Sequence, residues 1–257
     1  MSQQGDFKRE IREAARTSKD AFFTWFDTAQ DAEASFVQGM WDFSVHIAHP
    51  MAKYLKSPES LVSLEIGYGG GRLLAAAAQS FGKAVGIDIH ENAELVKKEL
   101  AARGINNIEL YSSDGMTIPL PDCSIDFVYS FIVLQHVEKV QVFESYLVDS
   151  MRVLKPRGYG ILYFGRKARH SINRKSPMLF ALDTILENLW LPKGYLEFAA
   201  EVNHTNLVVT RSYAKRMARS IGLQVLGFTS SHKNVPNGFD YYGGQHGMIV
   251  RKPQSSD

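Results

Sequence analysis

Hydrophobic and polar positions along the chain follow two alternating periods. Short unbroken apolar runs at Leu61–Ile66 and Ala84–Ile87 predict strands buried on both faces. Ile108–Tyr111, Ser124–Phe131 and Gly160–Phe164 read as a third, fourth and fifth strand. Between them the period lengthens. Leu73, Leu74 and Ala77 share one helical face, and Phe143, Leu147, Ser150, Met151 and Leu154 form another stripe. Strand and helix in turn predict an α/β domain whose parallel sheet is covered on both sides.

The flanks are helical or irregular. Phe22, Trp25 and Phe26 lie at helical spacing, as do Val37, Met40, Trp41, Val45 and Ala48, a pattern that Pro50 interrupts. Residues 1–60 therefore read as a helical extension ahead of a domain at 61–257. The interval 166–209 is too long for a plain connection. It has an amphipathic segment of its own, with Leu179, Leu182, Leu186, Leu189 and Trp190 near one face, and is expected to cap the active site. Thr210 is a suitable N-cap for a helix with Tyr213, Met217 and Ile221 inward and Gly222 at its end. Leu223–Phe228 and His246–Val250 predict two closing strands, joined through a glycine-rich loop at Gly238–Gly244. Pro253–Asp257 reads as a disordered tail.

Composition narrows the function only a little. A chain of 257 residues buries one good core. Its net charge of +2 argues for neither nucleic acid nor membrane as a partner. The single cysteine, Cys123, excludes a disulfide framework and a cysteine zinc site. His46 and His49 are too sparse for a metal site. No apolar run approaches the roughly 20 residues of a membrane span. Met1–Arg16 is too polar for a secretory signal, so a cytoplasmic protein is expected, with its oligomeric state open.

The candidate chemistry lies in Glu65-Ile66-Gly67-Tyr68-Gly69-Gly70-Gly71, between the first strand and its helix. Glycines there let the backbone turn sharply and approach a ligand closely. Asp88, at the tip of the second strand, is placed to accept hydrogen bonds from ribose hydroxyls. A dinucleotide fingerprint would need glycine at position 72, which is Arg72. The acidic-x-G-x-G-x-G form resembles motif I of the class I S-adenosylmethionine (SAM) methyltransferases. Ser113-Asp114-Gly115-Met116, the Ser130–Val137 segment and Val153–Gly160 follow in the order that family requires.

The resemblance implies SAM as cofactor and a seven-stranded, mostly parallel sheet of order 3-2-1-4-5-7-6 with an antiparallel last strand. It implies that Glu65, Gly67, Tyr68, Gly69 and Gly71 surround the amino-acid moiety, with Asp88 and the adjacent Ile89 on the ribose. Asp114, Gly115 and Met116 are implied at the adenine, and Ser130, Phe131 and Gln135 at the pocket wall. Gln135 and His136 are the catalytic candidates, His136 as a general base or as a structural histidine. Methyl transfer from a sulfonium needs in-line positioning more than acid–base relays, and a base only where the acceptor must lose a proton. Trp41 and Tyr68 are candidates for contact with the adenosine or sulfonium.

Ser130-Phe131-Ile132-Val133 lacks the proline pair of exocyclic-amine methylation and the clustered acids of a metal-dependent type. A small-molecule acceptor remains, with O, N or C as the methylated atom; a glycan or natural-product precursor is compatible. The basic run Arg166-Lys167-Ala168-Arg169-His170 with Arg174-Lys175 reads as a solvated loop or as a site for an anionic acceptor. Two alternatives stay open: a SAM-binding scaffold without catalysis, and a nicotinamide-dependent oxidoreductase.

Overall fold

The computed structural model describes residues 3–235 and 238–254. β1 (Val62–Ile66), β2 (Lys83–Asp88), β3 (Ile108–Ser112), β4 (Ile125–Ser130) and β5 (Leu154–Gly165) form a parallel sheet in the order β3-β2-β1-β4-β5. A long hairpin of β8 (Gln224–Val235) and β9 (Gly238–Arg251) closes it, β9 running antiparallel along β5 from Tyr159↔Arg251 to Gly165↔Gln245. These seven strands keep the expected order, the closing pair taking the last two places.

Among the described residues the sheet has nine strands rather than seven. β6 (Tyr195–Glu197) and β7 (Leu207–Val209) come from the 166–209 interval, and β7 pairs with β5 at Gly165↔Val208. The physical reason is an open edge. β4 stops at Ser130↔Leu162, so the last residues of β5 have backbone groups on that side to pair. Two further boundaries differ. The turn expected before strand five belongs to β5, with Arg157 at φ +68°. The expected Gly238–Gly244 loop is part of β9; the side chains of 238–240 lie outside the described residues, as does Ser255–Asp257 of the expected tail.

One sheet face carries α7 (Val140–Val153) and α9 (Arg211–Ser220) over an apolar cluster that includes Leu64, Val128 and Leu162. Thr210 caps α9 as expected, its hydroxyl accepting from Tyr213 N at 3.2 Å. The other face carries α5 (Arg72–Ser80) and α6 (Ala93–Ala102). Onto that cluster pack α1 (Gln3–Thr17), α2 (Lys19–Thr24) and α3 (Ala32–Asp42), the last continuing through a π-helical turn at Phe43–Ala48 into α4 (His49–Met51). Gly39 lets α3 cross the first turn of α5, because a Cβ there would meet the Arg72 carbonyl oxygen at 2.4 Å.

Pro50 does not end this helix. Proline has no N–H for the carbonyl four residues earlier, and that group, His46 O, accepts instead from the Tyr163 hydroxyl at 2.8 Å. Nor is the expected face of α3 the buried one. Val37, Met40 and Trp41 are exposed, while Phe36, Gly39, Asp42, Phe43, His46 and Ile47 are buried. The buried face includes Asp42 and His46 because Arg72 and His232 wait there as partners. Trp41 therefore lies away from the site.

Candidate active site

The turn after β1 is built from three left-handed glycines, Gly67 (φ +79°), Gly69 (φ +52°) and Gly71 (φ +81°). The N–H groups of Gly67 and Tyr68 both donate to Ile87 O, and Gly69 N donates to Asp88 Oδ2 at 2.8 Å, so the turn is fastened to the tip of β2. Asp88 Oδ1 accepts from Ile89 N at 2.7 Å. His90 completes the junction: its Nδ1 accepts from Asn92 N, so its Nε2–H donates to Gly69 O at 2.9 Å. No pattern in the sequence pointed to His90.

A cavity of about 730 Å³ opens beside this turn. Among the expected residues, Glu65, Gly67, Tyr68, Gly69, Asp88 and Ile89 line its first part, and Gly115 and Met116 border it. Phe131, Gln135 and His136 line its far side. Three expected residues are not in the lining. Gly71 is the N-cap of α5 and packs on Val96. Ser130 is fully buried and donates to Ile66 O at 3.2 Å. Asp114 is exposed and closes a local turn, its Oδ1 accepting from Met116 N and Thr117 N at 2.8 and 2.7 Å. Burial raises its pKa, but these two donors outweigh that and leave it below the ordinary value.

The cover over the cavity comes from the N-terminal helices. Phe7, Ile11, Trp25, Phe26, Asp27 and Thr28 line it, whereas the 166–209 interval contributes Asn203 alone to the lining. The glycine turn serves this cover as well as a ligand: a Cβ on Gly69 would meet the Phe26 ring at 2.8 Å. Arg72, at the position that departs from the dinucleotide fingerprint, is the fastening. Its guanidinium is buried between Asp42 and Asp27, and Asp27 also accepts from Ser35. The basic run lies elsewhere. Arg166 is buried, donating to Gly243 O at 2.7 Å and to Ser171 Oγ at 3.0 Å, and His170 pairs with Asp183. The charged lining is instead Asp27, Asp88 and Glu138 against Arg72 and Lys139, which does not favour an anionic acceptor.

Glu65 is buried and accepts from Tyr129 Oη at 3.0 Å. Burial pushes its pKa from 4.5 up to about 8, against the opposing pull of the Tyr129 hydroxyl and of Arg72. Between those two values the native state holds a proton that the unfolded chain has released. Its effect on stability therefore falls as pH rises from about 4.5 to about 8 and is flat above. Glu65→Gln is expected to match the wild type near pH 5 and to exceed it at pH 8.5 by a few kcal/mol, on the order set by ~1.4 kcal/mol per pKa unit. Urea unfolding at both pH values checks this; parallel pH profiles would refute it.

At the far side, His136 Nδ1–H donates to His204 O at 2.6 Å, and its Nε2 receives an N–H of Gln135 at 3.1 Å. That hydrogen bond to a carbonyl assigns the tautomer in which Nε2 carries the lone pair. Burial lowers the pKa of His136, so the ring is neutral at physiological pH. Ile132, in the same lining, is held at φ +60°, a conformation that costs a β-branched residue about 1–3 kcal/mol and occurs preferentially at functional sites. His46 faces neither the cavity nor solvent: it is buried, stacked on Phe131 at 4.3 Å between ring centroids, and paired with His232.

Residues 64–162 match a known protein family described as a methyltransferase domain. Over that stretch the chain resembles a methyltransferase domain. Over 86 residues it is 35% identical to the demethylmenaquinone methyltransferase of Geobacillus stearothermophilus, a match covering 33% of this chain and 36% of that relative. The matched part thus spans about a third of the curated relative's length. A SAM-dependent methyltransferase from Methanosarcina mazei superposes with a TM-score of 0.55 at 20% identity, covering 80% of this chain and 98% of the other. The [4+2]-cyclase SpnF superposes with a TM-score of 0.56 at 14% identity, covering 89% and 84%. At these identities the two structures establish the fold of the methyltransferase domain, which is the class I Rossmann-like one.

Proposed function

We propose that the protein transfers a methyl group from SAM to a small, largely apolar acceptor. The observation that carries this reading is one cavity shared by the glycine turn, the Asp88 carboxylate and the His136 ring. Its volume is within the usual range for small-molecule sites. SAM fits the residues present. Asp88 uses its two oxygens on backbone N–H groups and retains lone pairs for ribose hydroxyls. Glu65 is placed to receive an ammonium group, which would draw off the proton that burial keeps on it. SAM supplies an electrophilic methyl when bound. The chain's own residues orient and desolvate: Phe7, Trp25, Phe26 and Phe131 form an apolar wall. His136 Nε2 takes the acceptor's proton once Gln135 yields its hydrogen bond.

Titration calorimetry tests the cofactor assignment. Asp88→Ala is expected to weaken SAM binding by about 1.5–3 kcal/mol for each charge-assisted bond lost, roughly 10- to 150-fold. Asp88→Asn, which preserves an acceptor for Gly69 N, separates this from collapse of the turn. An unchanged dissociation constant in both variants would remove Asp88 from the site. Because a cyclase shares the fold, transfer itself must be read from labelled SAM against a panel of hydroxyl, amine and activated-carbon acceptors. Tight SAM binding with no transfer to any class would favour the scaffold reading.

A further inference from the structure

α8 (Pro177–Trp190) is folded with its polar side inward. Its two charged residues, Asp183 and Glu187, are 0% and 1% exposed. Met178, Leu182, Ile185 and Leu189 are 77%, 40%, 68% and 74% exposed. Their spacing of four, three and four places them on one face. A helix on the surface of a water-soluble domain ordinarily does the reverse.

The inversion is held by buried partners. Asp183 accepts from the backbone of Arg169, His170 and Ser171. Glu187 Oε2 meets His246 Nε2 at 2.7 Å, and its Oε1 accepts from Arg211 N at 2.9 Å. Phe180 stacks on Tyr242 at 4.4 Å and lies under the guanidinium groups of Arg166 and Arg211. With its polar side consumed, the helix presents the apolar face outward in a fixed orientation.

Charge selects what covers that face. Exposed Arg169 and Arg174 precede α8, and no acidic residue occurs from Arg166 to Leu182, so its N-terminal end is cationic; Lys193 after it lies near Glu197. A second copy laid parallel on the same face would bring those cations against one another. A surface that offers apolar depth and negative charge together has no such conflict, and it is the one an interfacial helix of this kind enters.

We propose that the α8 face is a docking surface for an anionic lipid bilayer, which the ~21 Å helix enters flat at the headgroup boundary. This adds a partner that net charge alone did not suggest. It is independent of the methyltransferase reading. No helix among the described residues is long and apolar enough to cross a membrane, so the contact is peripheral.

Vesicle sedimentation of the full chain tests it, with phosphatidylcholine alone against phosphatidylcholine containing 30 mol% phosphatidylglycerol. The wild type is expected to pellet with the anionic vesicles, and to be released as salt rises. Ile185→Ser with Leu189→Ser is expected to cut partitioning at least about tenfold. Arg169→Gln with Arg174→Gln is expected to cut it roughly fivefold per residue. Both variants should keep the wild-type melting temperature and SAM dissociation constant. No pelleting of wild type with anionic vesicles overturns the proposal, as does undiminished pelleting of the Ser variant. A dimer seen by light scattering and lost in the Ser variant, without vesicle binding, would assign the face to a second copy instead.

Discussion

Asp183→Ala is expected to lower the free energy of unfolding by about 3–5 kcal/mol, the usual cost of removing one partner from a buried charged network. The carboxylate has no solvent exposure. It accepts from Arg169 N, His170 N and Ser171 N at 3.2, 3.0 and 2.8 Å, and from Ser171 Oγ and His170 Nδ1 at 2.7 and 2.9 Å. Alanine would strand those donors and remove the strongest of the opposite charges near the buried Arg166 cation. Burial alone would raise the Asp183 pKa, but the donors of Ser171 and His170 hold it well below the carboxylate range. A depressed native value contributes stability that is complete above the unfolded value of 3.8 and is lost as pH falls toward the native one. Wild type should therefore lose in acid part of what the variant has already lost at neutral pH. Asp183→Asn, which preserves an acceptor oxygen, should lose less. Urea unfolding measures the difference, and a loss under 1 kcal/mol would show that α8 is held by something else. SAM affinity of the folded variant should not change, because Asp183 does not line the cavity.

His136→Ala is expected to reduce turnover about 10²- to 10⁴-fold with an acceptor that must lose a proton, the range general-base removal typically spans. SAM affinity should be nearly unaffected, since Asp88 and the glycine turn stay in place. The pH profile carries a second signature. The base must be neutral, and burial lowers the His136 pKa. Wild-type turnover should rise as pH climbs through that lowered value and be level by neutrality. In the variant this limb should vanish. Single-turnover rates across pH 5–8 with labelled SAM measure both effects, and a folded variant with normal turnover would assign His136 to structure alone.

The parts of the site legible in the sequence are those made by neighbours in the chain. A strand, three glycines in left-handed conformations and a helix start are local events, and Asp88 follows from where β2 ends. The turn at Asp114 is equally local: Met116 N and Thr117 N both donate to its Oδ1. Phe7 and Trp25 were beyond such reasoning. They reach the cavity because Gly39 lets α3 cross α5 closely and because Arg72 binds Asp27 and Asp42, contacts between residues far apart in the chain.

The sequence by itself determined the α/β class, the glycine turn and the carboxylate at the tip of β2, because periodicity and backbone sterics act over a few residues; the strand order came only through the resemblance to the methyltransferases. Tertiary structure alone decided which face of α3 and α8 is buried, and what closes the cavity. Periodicity assigns the inner face on the premise that apolar residues are the ones buried. In α8 that premise fails, and in α3 it selects the wrong stripe, because a distant charge or hydrogen-bonding partner meets a polar residue: Arg72 for Asp42, and His246 for Glu187. Burying such a side is favourable only when the partner is already in place, and the fold supplies the partner.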